Sequence, residues 1–368
     1  MKKLTTFVLF TLLSVSCAWA DVAINATNFP DANFRKFLLS IDVGKDGVLT
    51  SDFELKLNRL DVEGENIRNL KGLEFFGSLK ILNCEYIGLT SLDISKNKQL
   101  QILNCYGNQL TSLDVSKNTN LLTLNCGRNQ LTTLNVSMNE NLIELGCSEN
   151  KLTSLDVSKN IYLRALDFFN NQLTSLDVSK NTKLEQLNCG FNQLTSLDVT
   201  KNTALDGLDC SGNQITSLDV SKNTALKVLI CQGNKFTSLD VSKNMKLTGL
   251  DCSYAKLSSL NVSKNTALES LNCSFIKLTS LDVSRNIALT TLICQGNNFT
   301  SLDVSKNTKL THLDCYWNKL TSLDVSKNTA LESLNCGGNK LTSLNVSKNT
   351  KLKKLDCDSS IKVTGWPK

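Results

Sequence analysis

Cysteine recurs at one fixed interval along most of this chain. Every interval between these cysteines is 21 residues except one of 42, and Phe168 stands at the missing position. A fixed period of this length is the signature of a repeat protein, in which each repeat packs only against its neighbours. The sequence therefore predicts fourteen turns in one register. Their marker residues are Cys84, Cys105, Cys126, Cys147, Phe168, Cys189, Cys210, Cys231, Cys252, Cys273, Cys294, Cys315, Cys336 and Cys357.

The residues that recur within each turn predict a leucine-rich-repeat solenoid of the α/β horseshoe class. Counted from Leu331 as the first place, the turn over 331–351 reads LESLNCGGNKLTSLNVSKNTK, with cysteine where such repeats carry a third leucine. Leu334 and Cys336 are two residues apart, so both side chains point to one face of a short strand. Stacked turns align such strands in parallel, about 4.8 Å apart, around one apolar core. The rest of each turn is too short for a regular helix, so we expect extended or 3₁₀ backbone on the convex side.

Two columns of asparagine predict hydrogen bonds between neighbouring turns. The nineteenth place is asparagine in thirteen turns, and the ninth place is asparagine in ten. An asparagine side chain satisfies backbone groups that a turn leaves unpaired, so we interpret both columns as scaffold. The four turns without asparagine at the ninth place carry Ile87, Ala255, Ile276 and Ser360.

The charge pattern argues against a nucleic-acid partner and against a metal centre. The formal charge is only +6, from 40 Lys+Arg and 34 Asp+Glu. Lysines at the eighteenth place run beside aspartates at the fifteenth, as in Lys327 and Asp324, which is typical of a solvated face. The chain has a single histidine, His312, so we expect no histidine-rich metal site.

The first twenty residues predict export. Residues 1–20 combine two lysines with an apolar segment and end in Ala18-Trp19-Ala20, the pattern of a secretory signal peptide cleaved before Asp21. Lipidation at Cys17 is an alternative, although Ser14 stands where a lipobox normally carries an aliphatic residue. We therefore expect a secreted or cell-surface monomer, which is membrane-bound only if Cys17 is lipidated.

Residues 21–57 predict a small helical cap over the first turn. Ser51 with Glu54 predicts the capped start of a second helix. The loop 42–50 resembles a calcium-binding EF-hand loop but lacks most of the oxygen ligands that calcium needs, so we interpret it as a structural remnant. The first helix is indicated by apolar residues at helical spacing after the N-cap residue Asp31, namely Phe34, Phe37, Leu38 and Ile41.

The repeats are predicted to occupy residues 58–360. One turn of 22 residues precedes the fourteen turns of the 21-residue register. Residues 361–368 form a C-terminal tail in which Val363 and Trp366 are expected to cover the last turn.

The cysteines are predicted to be reduced core residues. A disulfide needs Cβ atoms about 3.8 Å apart that face each other, whereas the rungs of a parallel sheet are about 4.8 Å apart with side chains pointing the same way. Zinc needs four converging ligands, and a straight column does not converge. Phe168 shows that this place accepts an apolar group without a thiol. We therefore expect no metal, no cofactor and no redox role.

Two segments resemble a known family. The sequence FPDANFRKFLL, together with the segment 60–82, resembles the helical cap and first repeat of the bacterial internalins. Turns of the form LxCxxNxLTSLDVS resemble the cysteine-ladder (internalin J-like) branch of that family. The resemblance covers nearly all of the chain after residue 20. It implies a secreted or surface-bound, non-enzymatic horseshoe whose concave face binds a partner, often a host protein or a glycan.

The outward residues of the strands predict the binding surface. These residues stand at the third, fifth and seventh places, and the fifth place is mostly Asn or Asp, from Asn83 to Asp356. Aromatic residues at the seventh and eighth places are candidate anchors, because such side chains dominate interface energetics. The candidates are Tyr86, Tyr106, Phe169, Phe191, Tyr254, Phe275, Tyr316 and Trp317, together with His312.

Catalysis at His312 is an alternative that the sequence raises. Asp314 and Ser333 are predicted to lie near this histidine on the same face of the sheet. Nucleophilic catalysis also needs an oxyanion hole and a substrate pocket, and a regular sheet without loop insertions offers neither. We therefore predict no catalytic residues. The hypothesis that remains is an exported protein-binding module, with a carbohydrate- or envelope-binding module of the same fold as the alternative.

Overall fold

The computed structural model describes residues 21–41, 45–50 and 57–366 of the 368-residue chain. Its elements are short, and most of them are strands of three residues. The N-terminal elements are β1 (Val22–Ala23), helix α1 (Ala32–Ser40), β2 (Val48–Leu49), β3 (Arg59–Asp61) and the 3₁₀ helix η1 (Leu73–Phe75). The strands that follow are β4 (Ile81–Asn83), β5 (Ile102–Asn104), β6 (Thr123–Asn125), β7 (Glu144–Gly146), β8 (Ala165–Asp167), β9 (Gln186–Asn188), β10 (Gly207–Asp209), β11 (Val228–Ile230), β12 (Gly249–Asp251), β13 (Ser270–Asn272), β14 (Thr291–Ile293), β15 (His312–Asp314), β16 (Ser333–Asn335), β17 (Ser343–Asn345), β18 (Lys354–Asp356) and β19 (Lys362–Thr364).

One parallel sheet of fifteen strands runs through the molecule. Its strands follow each other in chain order from β3 to β16 and end with β18. Pairing is in strict register, so that Leu334 lies opposite Leu313 on one side and Leu355 on the other. The constant period explains this register, because the same place of each turn meets its counterpart in the next. The predicted leucine-rich-repeat solenoid is confirmed.

Recurrent apolar places build the core. The leucine in the middle of each strand is buried in nearly every turn, and so are the cysteine at the sixth place and the valine or isoleucine at the sixteenth. Phe168 is fully buried within the cysteine column. Among the described residues the convex side is made of turns and bends, and η1 is the one 3₁₀ segment. The expectation of an irregular convex side without α-helices is therefore confirmed.

The two asparagine columns join neighbouring turns. The amide nitrogen of Asn129 donates to the carbonyl oxygens of Cys105 and Cys126, 3.0 Å from each, and its amide oxygen accepts from Leu110 N–H. Asn202, at the nineteenth place, is fully buried and donates to the carbonyls of Val178 and Asn181 in the preceding turn. Each asparagine therefore satisfies backbone groups of its own or the preceding turn, as the scaffold interpretation requires.

The charged rows of the convex side make local turns. The carboxylate of Asp324 accepts a hydrogen bond from Ser326 N–H at 2.8 Å. This bond, with a smaller contribution from the charge of Lys327, holds the pKa of the Asp324 carboxyl below its usual range. Equivalent bonds recur along the row, for example from Ser158 N–H to Asp156. The aspartates therefore shape the turns beside the lysine row.

A cap closes the N-terminal end of the core. Asp31 caps α1 by accepting from the N–H groups of Asn33 and Phe34, as predicted. Its second oxygen accepts from the N–H groups of Arg68 and Asn69, which ties the helix to the first turn. The sequence reading missed an antiparallel pair that β1 and β2 form beside the helix.

Several sequence predictions fall outside the described residues. These are the signal peptide with Cys17, the second helix from Ser51, and the start of the EF-hand-like loop at Asp42. The described part of that loop continues into β2. The division at residues 20, 57 and 360 stays a prediction.

The C-terminal tail covers part of the last turn. Strand β19 pairs in parallel with β17, which places Val363 opposite Leu344. Val363 and Trp366 are both half-buried against the core, in agreement with the predicted cover. Cys357 remains partly exposed at this end, unlike the other cysteines of the column.

Candidate binding surface

The cysteine column is part of the core. All thirteen described cysteines are free thiols, and all but Cys357 are buried. Burial raises the pKa of the thiols, to about 12 at Cys126 and at Cys273, so that they stay protonated and unreactive at neutral pH. Among the described residues, no group of three His, Cys, Asp or Glu side chains is placed to hold a metal ion. The chemistry of this chain has to be sought on its surface.

The strand-exit edge, meaning the seventh to tenth places of every turn, carries the aromatic candidates. Tyr106, Phe169 and Tyr316 stand at the seventh place, and the other five stand at the eighth. The backbone at the eighth place has a positive φ from the turn of Tyr86 to the turn of Gly338. The aromatic residues in this left-handed conformation are Tyr86 (φ 54°), Phe191 (52°), Tyr254 (57°), Phe275 (56°) and Trp317 (57°).

Glycine occupies the same eighth place in five other turns. These glycines also have positive φ, between 60° and 69°. The left-handed region is open to glycine and strained for a bulky side chain. The scaffold therefore does not require an aromatic residue at this place. The glycines are Gly107, Gly212, Gly233, Gly296 and Gly338.

Most of the aromatic rings lie over a glycine of the following turn. A Cβ atom added to Gly107 would collide with the ring of Tyr86, and one added to Gly296 would collide with the ring of Phe275. The small residue lets the ring lie flat along the edge. The same arrangement joins Tyr106 to Gly127, Phe169 to Gly190 and Phe191 to Gly212.

The N-terminal aromatic pair is tied into a polar network. The rings of Tyr86 and Tyr106 meet edge to face, with centroids 5.4 Å apart. Arg128 lies over the ring of Tyr86 and donates a long hydrogen bond of 3.5 Å to its hydroxyl oxygen. The Tyr106 hydroxyl donates to Glu149 at 3.3 Å, and partial burial together with the charge of Glu149 raises the pKa of that hydroxyl. This pair is therefore largely held by its own neighbours.

The middle pair, Phe169 and Phe191, is separate from the others. Its rings also meet edge to face, with centroids 5.1 Å apart. Phe191 is half exposed, whereas Phe169 lies lower against the edge.

The C-terminal aromatic residues form one continuous row. The rings of Tyr254 and Phe275 are stacked, with centroids 4.8 Å apart and planes 15° apart. Phe275 reaches across Gly296 to Trp317 at 6.2 Å, and Trp317 contacts Tyr316 at 6.4 Å. Tyr254 and Trp317 are each about 60% exposed, at 59% and 61%. We call these four residues the aromatic row.

The Asn and Asp side chains of the fifth place are occupied by the scaffold. The carboxylate of Asp314 accepts from Tyr316 N–H at 3.0 Å, and that of Asp209 accepts from Ser211 N–H at 2.9 Å. Burial raises the pKa of the carboxyl group at Asp167, which lies deeper on this face. These side chains cap the strand ends, and only part of their hydrogen-bonding capacity faces solvent.

A small apolar patch on the sheet was missed by the sequence reading. Val228, in β11, is exposed at the third place of its turn, and Ile230 stands at the fifth place, where most other turns carry Asn or Asp. Gly207 and Gly249 flank Val228 on the neighbouring strands. Two features of the sequence could have revealed the patch. This turn lacks a polar residue at its fifth place, and the turns on either side have glycine at the third place.

His312 has few contacts with the residues of the catalytic alternative. Its Nδ1 atom lies 2.9 Å from the hydroxyl of Thr311. Asp314 instead accepts from the backbone, and none of the hydrogen bonds of the described residues joins His312 to Asp314 or Ser333. His312 pairs with Ser333 only through the strand register. The structure therefore places this histidine on the concave face, at the start of β15.

These features define a leucine-rich-repeat solenoid with a buried cysteine column and an aromatic strand-exit edge. The chain is 37% identical to the functional domain of InlJ from Listeria monocytogenes, which includes a cysteine ladder, with a TM-score of 0.80 over 93% of this chain and 72% of that one. The chain belongs to the internalin-like leucine-rich-repeat proteins, in the branch with a cysteine ladder. No protein-family model and no curated protein matches it.

Two further solved structures share the architecture. A leucine-rich-repeat protein of Leptospira interrogans is 26% identical, with a TM-score of 0.77 over 85% of this chain and 92% of that chain. The internalin InlF of Listeria monocytogenes is 20% identical, with a TM-score of 0.64 over 96% of this chain and 100% of that chain, which shows the common fold. In the described part of the chain, no helix has the length and apolar character needed to cross a membrane.

Proposed function

We propose that this chain is an exported, non-enzymatic binding protein that holds a protein partner against its concave face and strand-exit edge. The observation that carries the proposal is the eighth place. Five turns have glycine there, five others hold an aromatic residue, and three hold Arg128, Glu149 or Asn170, all in a left-handed backbone conformation. Such a conformation costs about 1–2 kcal/mol per residue. Exposed rings pack little against the core, so this packing offsets little of the strain. Exposed, rigid aromatic groups on a fixed scaffold are typical interface anchors.

A glycan ligand is the second candidate, because aromatic rings also stack on sugars. The fifth-place column would have to supply the hydrogen bonds to sugar hydroxyls. In most turns one carboxylate or amide oxygen of that column already accepts from a backbone N–H group, as at Asp209 and Asp314, although the amide oxygen of Asn335 does not. This favours a protein partner over a glycan.

The proposal is tested by capturing the partner with the mature chain and with a variant carrying Phe275→Gly and Trp317→Gly. Glycine is native to this place in other turns, so the variant should fold like the parent. We expect the parent to retain a protein from a host or envelope extract. The variant should retain at least tenfold less of that protein. A second double variant with Tyr86→Gly and Phe191→Gly measures how far the eighth-place rings outside the aromatic row contribute. Equal capture by all three chains would contradict the proposal.

A glycan array separates the two candidates. The protein-binding proposal predicts no saccharide signal that depends on Trp317. A strong signal that disappears in Trp317→Ala would replace it with the glycan-binding function.

Export is the part of the proposal that rests on residues 1–20. Secretion from the native host followed by N-terminal sequencing should give a chain that starts at Asp21. A lipidated chain that starts at Cys17 would establish the alternative anchor, and an uncleaved chain would contradict both.

A further inference from the structure

The aromatic row has a row of lysines beside it. Tyr254, Phe275 and Trp317 stand at the eighth place, and a lysine stands two residues after each of them. The residue between ring and lysine points into the protein and is buried in all three turns. Ring and ammonium group therefore flank the same exposed edge. The lysines are Lys256, Lys277 and Lys319, and the next turn adds Lys340.

Among the described residues, none of these four ammonium groups has a hydrogen-bond or ion-pair partner. The ion pairs found among the described residues involve Lys227 and Lys353 and the two arginines Arg59 and Arg164, and none involves the four lysines. All four side chains are exposed. One carboxylate, Asp358, stands on the same edge in the turn after Lys340, where it accepts from Gly338 N–H. The edge from Lys256 to Lys340 therefore carries an excess of positive charge.

In the N-terminal half the same edge carries charges of both signs, with Arg128 and Glu149 at the eighth place and Lys151 at the tenth. The residues two after the eighth-place rings of that half, Tyr86 and Phe191, are the uncharged Gly88 and Gln193. Lys235, one turn before the aromatic row, donates to Gln214 at 2.8 Å. A tenth-place lysine and an eighth-place ring therefore stand in the same turn only within the aromatic row.

A depression lies where ring and lysines meet. It has a volume of about 540 Å³, and its wall includes the ring of Phe275 with Lys256 and Lys277. Ala255 and Ile276 form its floor, at the two consecutive turns where the ninth place lacks asparagine. The ninth-place asparagine column is therefore interrupted in the two turns where apolar residues lie between Lys256 and Lys277.

We infer that the aromatic row and its four lysines form a docking surface for an acidic polypeptide segment that also carries apolar side chains. The inference rests on the proposed protein-binding function and names the chemistry of the partner. Charge complementarity supports it, because unpaired ammonium groups attract carboxylates and bring little desolvation penalty while they remain at a rim. The rings and the depression at Phe275 supply the apolar anchor.

The test uses a synthetic peptide of three Glu-Phe-Glu repeats and its Gln-Phe-Gln counterpart, each with a fluorescent label. Binding to the full mature chain is followed by anisotropy at low and at high ionic strength. We expect the acidic peptide to bind and to weaken as salt rises, since exposed charge pairs are screened within about 10 Å at 0.1 M salt. The neutral peptide should bind at least tenfold more weakly.

Two variants with equal loss of charge locate the surface. Replacing Lys256, Lys277, Lys319 and Lys340 by alanine should weaken the acidic peptide at least tenfold. The matched control replaces four lysines of the convex row, Lys96, Lys117, Lys159 and Lys180, and should leave binding unchanged.

The fluorescence of Trp317 independently reports where the peptide binds. In a Trp366→Phe background it is the one tryptophan of the mature chain, so its emission should change when the acidic peptide binds. Equal binding of the neutral peptide, or equal loss in both lysine variants, would overturn the inference. So would a change of Trp317 emission with polygalacturonate and none with the peptide, which would indicate an acidic polysaccharide.

The inference and the proposed function fail in different ways. If the lysine variant captures the extract partner as well as the parent does, while the Phe275→Gly and Trp317→Gly variant does not, the binding function stands and the acidic partner is wrong. If both variants capture the partner normally, both proposals fail.

Discussion

At the scale of single residues, the eighth place of the turn separates folding from binding. The backbone there is left-handed whether the residue is Gly296 or Trp317. A left-handed conformation follows from the turn that the strand has to make, and glycine makes it without strain. An aromatic residue at this place is therefore a departure from what the fold alone would select.

The strain at Trp317 predicts an unusual order of stability. Trp317→Gly should be more stable than Trp317→Ala by about 1 kcal/mol, because alanine keeps the Cβ atom that disfavours positive φ. Tyr316 is the matched control, since it is not among the residues with positive φ. There the order should reverse, with alanine more stable than glycine by about 0.5–1 kcal/mol. Urea unfolding of the four variants measures both differences, and the same order at both positions would contradict the strain argument.

The thiols form a second prediction at this scale. Unfolded without reductant, the mature chain should expose about thirteen free thiols, because a straight parallel column does not bring sulfur atoms into disulfide geometry. In the folded chain one thiol should react far faster than the rest, since Cys357 alone is partly exposed. Cys357→Ser should remove the fast phase. A count near one, or a fast phase that persists in the variant, would contradict this account.

At the scale of the repeat element, the ninth-place asparagine adds a side-chain connection between turns to the backbone bonds at the strand exit. Asn129 uses its amide nitrogen and its amide oxygen to hold Cys105, Cys126 and Leu110. The strand itself has only three residues, so these bonds extend the ordered backbone beyond it.

Removal of that side chain should be costly. Asn129→Ala leaves the buried Leu110 N–H without its acceptor, while the carbonyls of Cys105 and Cys126 keep their bonds from Asn108 and Asn150. We expect a loss of about 1–3 kcal/mol in the free energy of unfolding. Asn120 is the control, because its exposed side chain makes one bond, to the carbonyl of Lys98. Asn120→Ala should change stability by less than about 0.5 kcal/mol. Thermal or urea unfolding of both variants measures these changes in stability. Equal losses for the two substitutions would contradict the structural role of the asparagine column.

The elements also show what the sequence could and could not predict. The 21-residue period was sufficient for the strands, the register and the cysteine core, because in a repeat array every turn solves the same packing problem. The pair of β1 with β2 carries no such period, and two-residue strands leave almost no alternation to read. The positive φ at the eighth place was visible only as an exchange of glycine and aromatic residues, a signal that was not used.

The sequence predicted which residues form the candidate surface, but not how their side chains are arranged. Tyr254, Phe275, Tyr316 and Trp317 were all named from their places in the turn. That Phe275 spans Gly296 to reach Trp317 depends on side-chain direction, which strand spacing does not specify. Whether any of the named residues contacts a partner stays a prediction.

At the scale of the whole molecule, the cysteine column makes stability depend on alkaline pH. The unfolded chain loses thiol protons above the ordinary cysteine pKa of about 8.5. In the folded chain burial raises the pKa, to about 12 at Cys126 and Cys273. The stability that comes from keeping these thiols protonated is fully present below about pH 8.5. It is lost as the pH rises from there toward the folded values.

Thirteen thiols in one cooperative array should make that loss steep. Each thiol that titrates only in the unfolded chain lowers the free energy of unfolding by about 1.4 kcal/mol per pH unit. We expect urea midpoints to be level between about pH 7 and 8, and to fall sharply above about pH 9. Cys126→Ala with Cys273→Ala should lower the midpoint at neutral pH through lost packing, yet make its fall with pH shallower than in the parent. Parallel curves for parent and variant would show that the thiols are not the groups that titrate, and the buried, protonated column would have to be abandoned as the source of the pH dependence.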